Sequence, residues 1–394
     1  MQYRPFGELG YKVSALGFGC MRFPTTEEGH IDEEEATRML HYAIDHGVNY
    51  LDTGYPYHDG ESEPFLGRAL QGGYRERVKL ATKLLVRVAE KPSDFDRLLD
   101  EQLERLQTDY VDVYLLHGLR KGRWDRACDM GILDWLEKPV LDGRVKAIGF
   151  SFHGSFPLFK EIIDAYDGWQ VCQIQYNYMN EHYQAGTRGL RYAASKGLAM
   201  VIMEPLLGGR LANPPEHIQR LWDTAEQQRS PAEWGLQWVW DQPEVSVVLS
   251  GMSAMEHVRE NVASANRSGV CTLTGDELNL IHRVRDAYRS LSPAPCTGCG
   301  YCMPCPQGVN IPRTFDRFNA GMLSGDMEAA RKRYLRLFSD QDESILASSC
   351  IQCGQCEEKC PQGIPISEWM PYMHEVMAED RPYDPDEAPP ARKD

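Results

Sequence analysis

Eight of the twelve cysteines fall in two short runs. CTGCGYCMPC carries Cys296, Cys299, Cys302 and Cys305, and CIQCGQCEEKC carries Cys350, Cys353, Cys356 and Cys360; both close on Cys-Pro. Thiolates are soft ligands, and a Cys-x-x-Cys-x-x-Cys loop supplies three of them to one iron–sulfur cubane. Zinc also accepts four cysteines, but structural zinc sites draw on separated Cys-x-x-Cys pairs, not on runs of four that end in proline twice over. Disulfides fit less well. The N-terminal MQYRPFGELG has no apolar leader, and no run approaches the ~18 apolar residues of a membrane span. The expected compartment is the reducing cytoplasm, where disulfides are rare. Cys20, Cys128, Cys172 and Cys271 are scattered and read as small apolar residues.

A second constellation lies far upstream. LDTGYPYHDGESE contains Asp52 and Tyr57, LATK ends in Lys83, and YLLH ends in His117. A carbonyl that receives hydride develops oxyanion character and needs a proton donor. Tyrosine, with a reference pKa of about 10, donates more readily beside a cation that lowers that value. Lys83 would supply the charge, Asp52 would hold Lys83, and His117 would orient the carbonyl oxygen. Singly, Asp52 reads as a loop cap, Lys83 as a solvated strand end and His117 as a satisfied buried imidazole. All four, in order at the ends of three successive strands, single out one site.

These groups need a frame. From Leu16 to about Ala265, eight short β-rich runs (ALGFG, VNYLD, VKLATK, VDVYLLH, VKAIGFS, VCQIQY, LAMVIME, VSVVLS) alternate with helix-period stretches such as DEEEATRMLHYAIDHG. In SDFDRLLDEQLERLQ, Leu98, Leu99, Leu103 and Leu106 are spaced for one helical face. Eight such units predict an α/β fold, a (β/α)8 barrel whose C-terminal rim carries the chemistry. The rival, a doubly wound sheet, lacks its Gly-x-Gly-x-x-Gly after the first strand. A further helix, GDELNLIHRVRDAYRSL, leads to the prolines of SPAPC, which mark a boundary. The expected domains are a barrel over 1–291, an α-helical cysteine unit over 292–377, with two helices broken at Ser324-Gly325, and a charged, proline-rich tail over 378–394 without fixed structure. At 394 residues, 42% hydrophobic and 25% charged, the chain is long enough for such domains. A balance of 42 basic against 58 acidic residues, net −16, argues against nucleic acid or an anionic membrane as partner.

With long helices between its motifs, the C-terminal unit resembles the α-helical ferredoxins. That resemblance implies two 4Fe-4S clusters with crossed fourth ligands: Cys296, Cys299, Cys302 and Cys360 for one, Cys350, Cys353, Cys356 and Cys305 for the other. Two residues rather than three precede Cys305, a departure from the bacterial ferredoxin spacing.

The segments LDTGYPY, ATK and LLH resemble the catalytic segments of the aldo/keto reductases, a likeness running from about Gln2 to Asn261. It implies carbonyl reduction with NADP(H) or NAD(H), Tyr57 as general acid, and Lys83, Asp52 and His117 in support; Tyr55, two residues short, reads as packing. IGFSFHG and CQIQYN place Ser151 and Gln173 on the nicotinamide carboxamide, with Phe152 where asparagine is usual and His153 beside it. Met203 of MEPLLGGRL replaces the stacking aromatic, and Gly19, Met21, Asp52, Leu206 and Gly208 complete the cofactor wall. In LSGMSAMEHVRENV, Ser250, Gly251, Ser253, His257, Glu260 and Asn261 occupy the adenosine-side positions. Gly251, Met252 and His257 stand where the family carries its Lys-Ser pair and Arg, leaving Ser253 and Arg259 for a 2′-phosphate.

The whole resembles aldo/keto reductase–ferredoxin fusions. The expected function is a nicotinamide-dependent oxidoreductase acting on a small carbonyl or alcohol. Its clusters would serve structure, or electron exchange with a one-electron redox partner. Hydride carries two electrons and a cluster takes one at a time; a flavin would bridge the two, but no flavin fingerprint is present. The alternative is an NAD(P)H-binding redox sensor or regulatory subunit with little turnover.

Overall fold

A computed structural model describes every residue except 291, 340–345 and 392–394. The expected first-domain end at Leu291 and the last three tail residues lie outside the described residues. The chain divides into two compact units: Met1–Tyr178, Gln184–Asn213 and Arg229–Gly275 form the first, and Met179–Tyr183, Pro214–Gln228 and the chain from Asp276 form the second.

The first unit opens with a short antiparallel hairpin, β1 (Tyr3–Pro5) and β2 (Lys12–Ser14). Eight parallel strands follow: β3 (Leu16–Gly19), β4 (Tyr50–Asp52), β5 (Lys79–Leu84), β6 (Val113–Leu119), β7 (Ile148–Phe152), β8 (Val171–Gln175), β9 (Ala199–Met203) and β10 (Val245–Ser250). They close in the order β10-β3-β4-β5-β6-β7-β8-β9. Each coincides with one of the eight apolar runs. Helices on the outside and packed side chains within bury both strand faces, so the strands read as near-continuous apolar segments. The helix Asp94–Arg105 buries Leu98, Leu99 and Leu103, and Leu106 at its C-cap is buried too. The helix Glu33–Asp45 starts where the Asp32 side chain accepts a hydrogen bond from the Glu35 N–H at 3.2 Å.

Sequence reading missed the hairpin, because two three-residue strands carry too short a pattern. Phe6 and Val13 from it join Tyr50, Val113, Leu115 and Val201 in one buried cluster. Gly7, at φ +54°, brings the turn against β9: a Cβ there would lie 2.6 Å from the Ala199 nitrogen.

The second unit is α-helical, as expected. The helix Ile311–Ser324 is capped by Asn310 and ends at Gly325 with φ +68°, the break anticipated at Ser324-Gly325. Met327–Ser339 and Ile366–Ala378 follow. Phe315, Phe318, Trp369, Met370 and Met373 form their shared core. The helix Gly275–Ser290, assigned to the first domain from sequence, groups with this unit from Asp276 onward. Polar contacts hold two outlying segments to it: Arg285 pairs with Glu181 at 2.8 Å, Arg289 donates to the Met179 carbonyl at 3.1 Å, and Arg283 reaches Thr224 at 3.4 Å.

The expectation of an unstructured tail is corrected as far as residue 391. The Trp369 indole N–H donates to the Pro390 carbonyl at 2.9 Å. Tyr372 accepts from the Asp384 N–H and donates to the Asp384 carbonyl, and Tyr383 meets Phe318 edge-on with centroids 5.8 Å apart. Average composition does not register a few well-placed aromatic anchors. Ending the chain at Ala378 should uncover Trp369 and Tyr372 and destabilise the second unit by about 2 kcal/mol, the scale of one large apolar side chain. Calorimetry of the truncated protein checks this, and an unchanged second transition would contradict it.

Cys20 and Cys172 are buried as expected, whereas Cys128 and Cys271 are exposed. Among the described residues no helix is long and apolar enough to cross a membrane.

Candidate active site

Parallel strands deliver their C-terminal residues to one rim, and this places Asp52 (β4), Lys83 (β5) and His117 (β6) side by side. Tyr57 follows on a short 3-10 turn, Tyr57–Gly60. The Lys83 ammonium is the hub. It donates to Asp52 Oδ1 at 2.7 Å, to the Thr53 carbonyl, and to the Tyr57 hydroxyl at 3.1 Å. All three of its donors are used. Asp52 is held in turn by Gln173 Nε2, 2.8 Å from Oδ2. Lys83 and Asp52 are both buried.

The electrostatics differ in one respect from expectation. Burial raises Tyr57 above its ordinary value; Lys83 opposes the rise without cancelling it, and Asp52 adds to it. The phenol therefore stays protonated at neutral pH, as a proton donor must. For Lys83, burial acts downward, but Asp52 and Tyr57 outweigh it and hold the ammonium above its usual value. His117 is held well below its ordinary value, by burial first and then by Lys83, His153, Arg123 and Arg87. It is a neutral imidazole, its ring edge-on to Tyr57 with centroids 6.0 Å apart, and its buried Nδ1 has no hydrogen-bond partner among the described residues.

A buried layer beneath this cluster was not legible in the sequence. Glu63, at zero exposure, accepts from Thr82 Oγ1 at 2.6 Å and from Gln102 Nε2, and Gln102 also donates to the Lys83 carbonyl at 3.2 Å. Ser62 bonds Thr53 Oγ1 at 2.9 Å. The start of the helix Ser62–Ala69 thus ties down the backbones on either side of the Lys83 ammonium. Tyr55 is engaged elsewhere, by Glu101 at 3.1 Å and under the Arg105 guanidinium, which agrees with a packing role.

The residues expected to hold a nicotinamide cofactor lie on one unit at the same rim. Ser151 ends buried on β7, with Oγ accepting from the Gly118 N–H at 2.7 Å. Gln173 is committed to Asp52, and Met203 ends β9. Ser250 Oγ accepts from Asn261 at 3.0 Å, and Glu260 accepts from Ser230. Ser253 and His257 are exposed after β10; Gly19 is half-buried, and Met21 is 61% exposed. Phe152 is fully buried, and Arg259 lies 5.9 Å from the Tyr42 ring. Gly208 has φ +71° beside Leu206.

Arg22 was missed. Its stem crosses Gly251, where a Cβ would meet Arg22 Cδ at 2.9 Å, and its Nη2 lies 3.4 Å from the Cβ position of Gly208. It makes no ion pair among the described residues. A cation delivered from the loop after β3 therefore occupies the space that a side chain at 251 would fill. Sequence comparison by position does not reveal such a replacement.

In the second unit each four-cysteine set lines its own cavity. Cys296, Cys299, Cys302 and Cys360 surround one; Cys305, Cys350, Cys353 and Cys356 surround the other. Among the described residues no charged side chain lines either, and all eight thiols are free. Among the described residues no three His, Cys, Asp or Glu side chains are placed to hold a single metal ion; each set encloses a space instead. Backbone N–H groups point at sulfur, from Gly298 to Cys296 at 3.5 Å and from Gln352 to Cys350 at 3.4 Å. Burial pushes Cys296 up to about 12, against the Gly298 N–H, and burial followed by Glu357 pushes Cys356 up to about 11. Such thiols ionise together only around a compensating cationic group. The donor set fits iron–sulfur clusters.

Comparison with known proteins agrees with both halves. The model of the aldo/keto reductase family matches residues 15–284, and that of the 4Fe-4S dicluster domain matches residues 295–364. L-galactose dehydrogenase of Arabidopsis thaliana is 27% identical over 319 residues, 74% of this chain and 97% of that protein. The uncharacterized oxidoreductase YrpG of Bacillus subtilis is 28% identical over 311 residues, 68% of this chain and 92% of that protein. The holo form of aldo-keto reductase AKR11C1 from Bacillus halodurans superimposes with a TM-score of 0.61 at 26% identity, covering 72% of this chain and 96% of that one. The chain belongs to the aldo/keto reductase family, as an NAD(P)H-dependent oxidoreductase that carries a 4Fe-4S domain C-terminal to its barrel.

Proposed function

We propose that the barrel unit interconverts a small carbonyl compound and its alcohol with Tyr57 as general acid, and that the C-terminal unit holds two 4Fe-4S clusters. The observation that carries the first half is the Lys83 ammonium, shared between Asp52, the Thr53 carbonyl and the Tyr57 hydroxyl. A bound nicotinamide supplies or accepts the hydride. Tyr57 gives its proton to the carbonyl oxygen as negative charge develops there, and Lys83, 3.1 Å from the phenol oxygen, stabilises the phenolate left behind. Neutral His117 offers an N–H to the same oxygen without competing for its proton. Asp52 keeps Lys83 charged and aimed, and Gln173 keeps Asp52 in place.

Ser151, Met203, Leu206, Gly208, Ser250 and Asn261 would hold the cofactor along the rim, and Arg22 would meet one of its phosphates. Arg22→Ala should weaken NADPH binding about tenfold, the scale of one charge-assisted contact. Titrating protein fluorescence with NADPH and NADH checks this. Loss for NADPH alone would assign Arg22 to the 2′-phosphate, loss for both to the pyrophosphate, and no loss would remove Arg22 from the site.

Two separate cavities, each lined by four cysteines in the crossed arrangement, support two clusters. When bound they supply one-electron exchange, or a structural staple for the three helices. Carbonyl-dependent oxidation of NADPH by anaerobically purified protein tests the reading as a whole. Tight NADPH binding without any such oxidation would favour the redox-sensor alternative.

A further inference from the structure

The two cysteine runs are near-copies, and the places where they differ are informative. Cys296-Thr297-Gly298-Cys299 corresponds to Cys350-Ile351-Gln352-Cys353. In both runs the third residue has a positive φ, +68° at Gly298 and +54° at Gln352, and its N–H points at the first sulfur. That backbone favours glycine, yet only the first run has one. Tyr183, from the Met179–Tyr183 segment of the same unit, lies across Gly298: a Cβ there would meet Tyr183 Cδ2 at 2.8 Å and Tyr183 Cβ at 3.2 Å. The first run is covered. In the second run Gln352 is exposed, and its Nε2 donates to the Ser367 carbonyl at 3.2 Å. Among the described residues nothing comes within 4 Å of a Cβ built at Gly354, beside Cys353.

The exposure of the ligands follows the same division. Cys353 is the one exposed thiol of the eight, whereas Cys302 is buried. Around Cys353, Ile351 is 62% exposed, and Gln352 and Gln355 are exposed as well. Pro306 and Gln307, which line the same cavity from the other run, are also exposed. None of these residues is charged. Tyr301, 65% exposed, is the rival feature on the first run, but the ligand that it adjoins is the buried Cys302. The chain after Cys350 is acidic, with nine acidic residues against two basic between Ile351 and Ala391, in a protein of net charge −16.

We propose that the cluster of Cys305, Cys350, Cys353 and Cys356 is the one that meets the outside, and that a basic one-electron carrier protein docks on the uncharged face around Ile351 and Cys353. Electron-transfer partners meet over small interfaces, and a face without charges is desolvated at little cost. The surrounding acidic chain attracts a carrier of opposite sign. The step moves one electron between the carrier's redox centre and this cluster; one is oxidised as the other is reduced, and no bond or proton changes. The inference rests on the reading that the eight cysteines hold two clusters.

Two measurements on anaerobic full-length protein test it. In the first, the reduced protein is examined by electron paramagnetic resonance with dysprosium–EDTA in solution as a relaxing agent. Relaxation should be enhanced for one cluster signal, the one kept in Cys360→Ala and missing in Cys353→Ala. Enhancement of the other signal, or of both equally, would overturn the proposal. In the second, reduced protein freed of excess reductant is mixed with ferric cytochrome c, a basic acceptor, or with oxidised plastocyanin, an acidic one. Cytochrome c should be reduced faster at low salt, and its rate should fall as salt rises. Ile351→Lys should slow that rate at least about tenfold, the scale of a like charge set into a docking face, while Tyr301→Lys should leave it near the parent value. If Ile351→Lys loses iron, Gln355→Lys replaces it. Faster reduction of plastocyanin, equal slowing in Tyr301→Lys, or no slowing in either variant would refute the docking face. If the parent protein holds a single cluster, the reading of two falls instead, and the comparison of Ile351→Lys with Tyr301→Lys still decides where the carrier docks.

Discussion

Tyr57→Phe should lower carbonyl reduction on the order of 10²-fold or more while leaving NADPH affinity nearly unchanged. Loss of a positioned general acid has that scale, and the hydroxyl is the only group removed. The substitution keeps the ring that meets His117 edge-on, so packing is preserved and the effect falls on kcat. The pH profile carries a second expectation. An acid must be protonated to act, and burial holds Tyr57 above its ordinary value of about 10. Reduction should therefore stay level through neutral pH and decline only as pH rises past about 10. His117 is held well below its ordinary value, so no inflection should appear near 6.5. A Tyr57→Phe protein that reduces an authentic substrate at the parent rate would reject the assignment.

Single cysteine replacements should each remove one cluster, and the pairs that remove the same one cross between the two runs. Two cubanes bring on the order of eight iron and eight sulfide atoms per chain. Cys296→Ala and Cys360→Ala should each leave about half. Since both residues line one cavity, the double variant Cys296→Ala/Cys360→Ala should also retain about half. Cys296→Ala/Cys350→Ala removes a ligand from each cavity and should retain almost none. Cysteines of both sets pack against the helical core, so loss of iron should also loosen the unit around Phe315 and Trp369. Zinc in place of iron in anaerobic protein, or iron loss that follows the linear runs, would contradict the scheme.

What the sequence disclosed follows from what each signal requires. Doubly buried parallel strands write themselves as uninterrupted apolar runs, so all eight barrel strands were legible. Polar residues at their ends, Asp52, Lys83 and His117, stood out against that background. The resemblance to the ferredoxins implied a crossed partition of the cysteines, and each of the two cavities is lined by one of those sets. Signals made only by folding were not legible. Arg22 reaches Gly251 through space from the loop after β3, and Glu63 meets Thr82 and Gln102 from three different elements. The grouping of the helix Gly275–Ser290 with the second unit depends on Arg285 and Arg289 finding partners about a hundred residues earlier. The tail looked unstructured because its charge and proline content conceal a few contacts, among them those of Tyr383 and Pro390.

The central claim is direct hydride chemistry at the barrel rim, with Tyr57 supplying the proton. It is tested most directly with NADPH deuterated at its transferring carbon, incubated anaerobically with the protein and a carbonyl that it reduces. The account predicts one deuterium on the carbinol carbon of the product, and loss of that product in Tyr57→Phe. Turnover that yields a carbinol hydrogen drawn from solvent would contradict it, because the electrons would then have reached the carbonyl by another route.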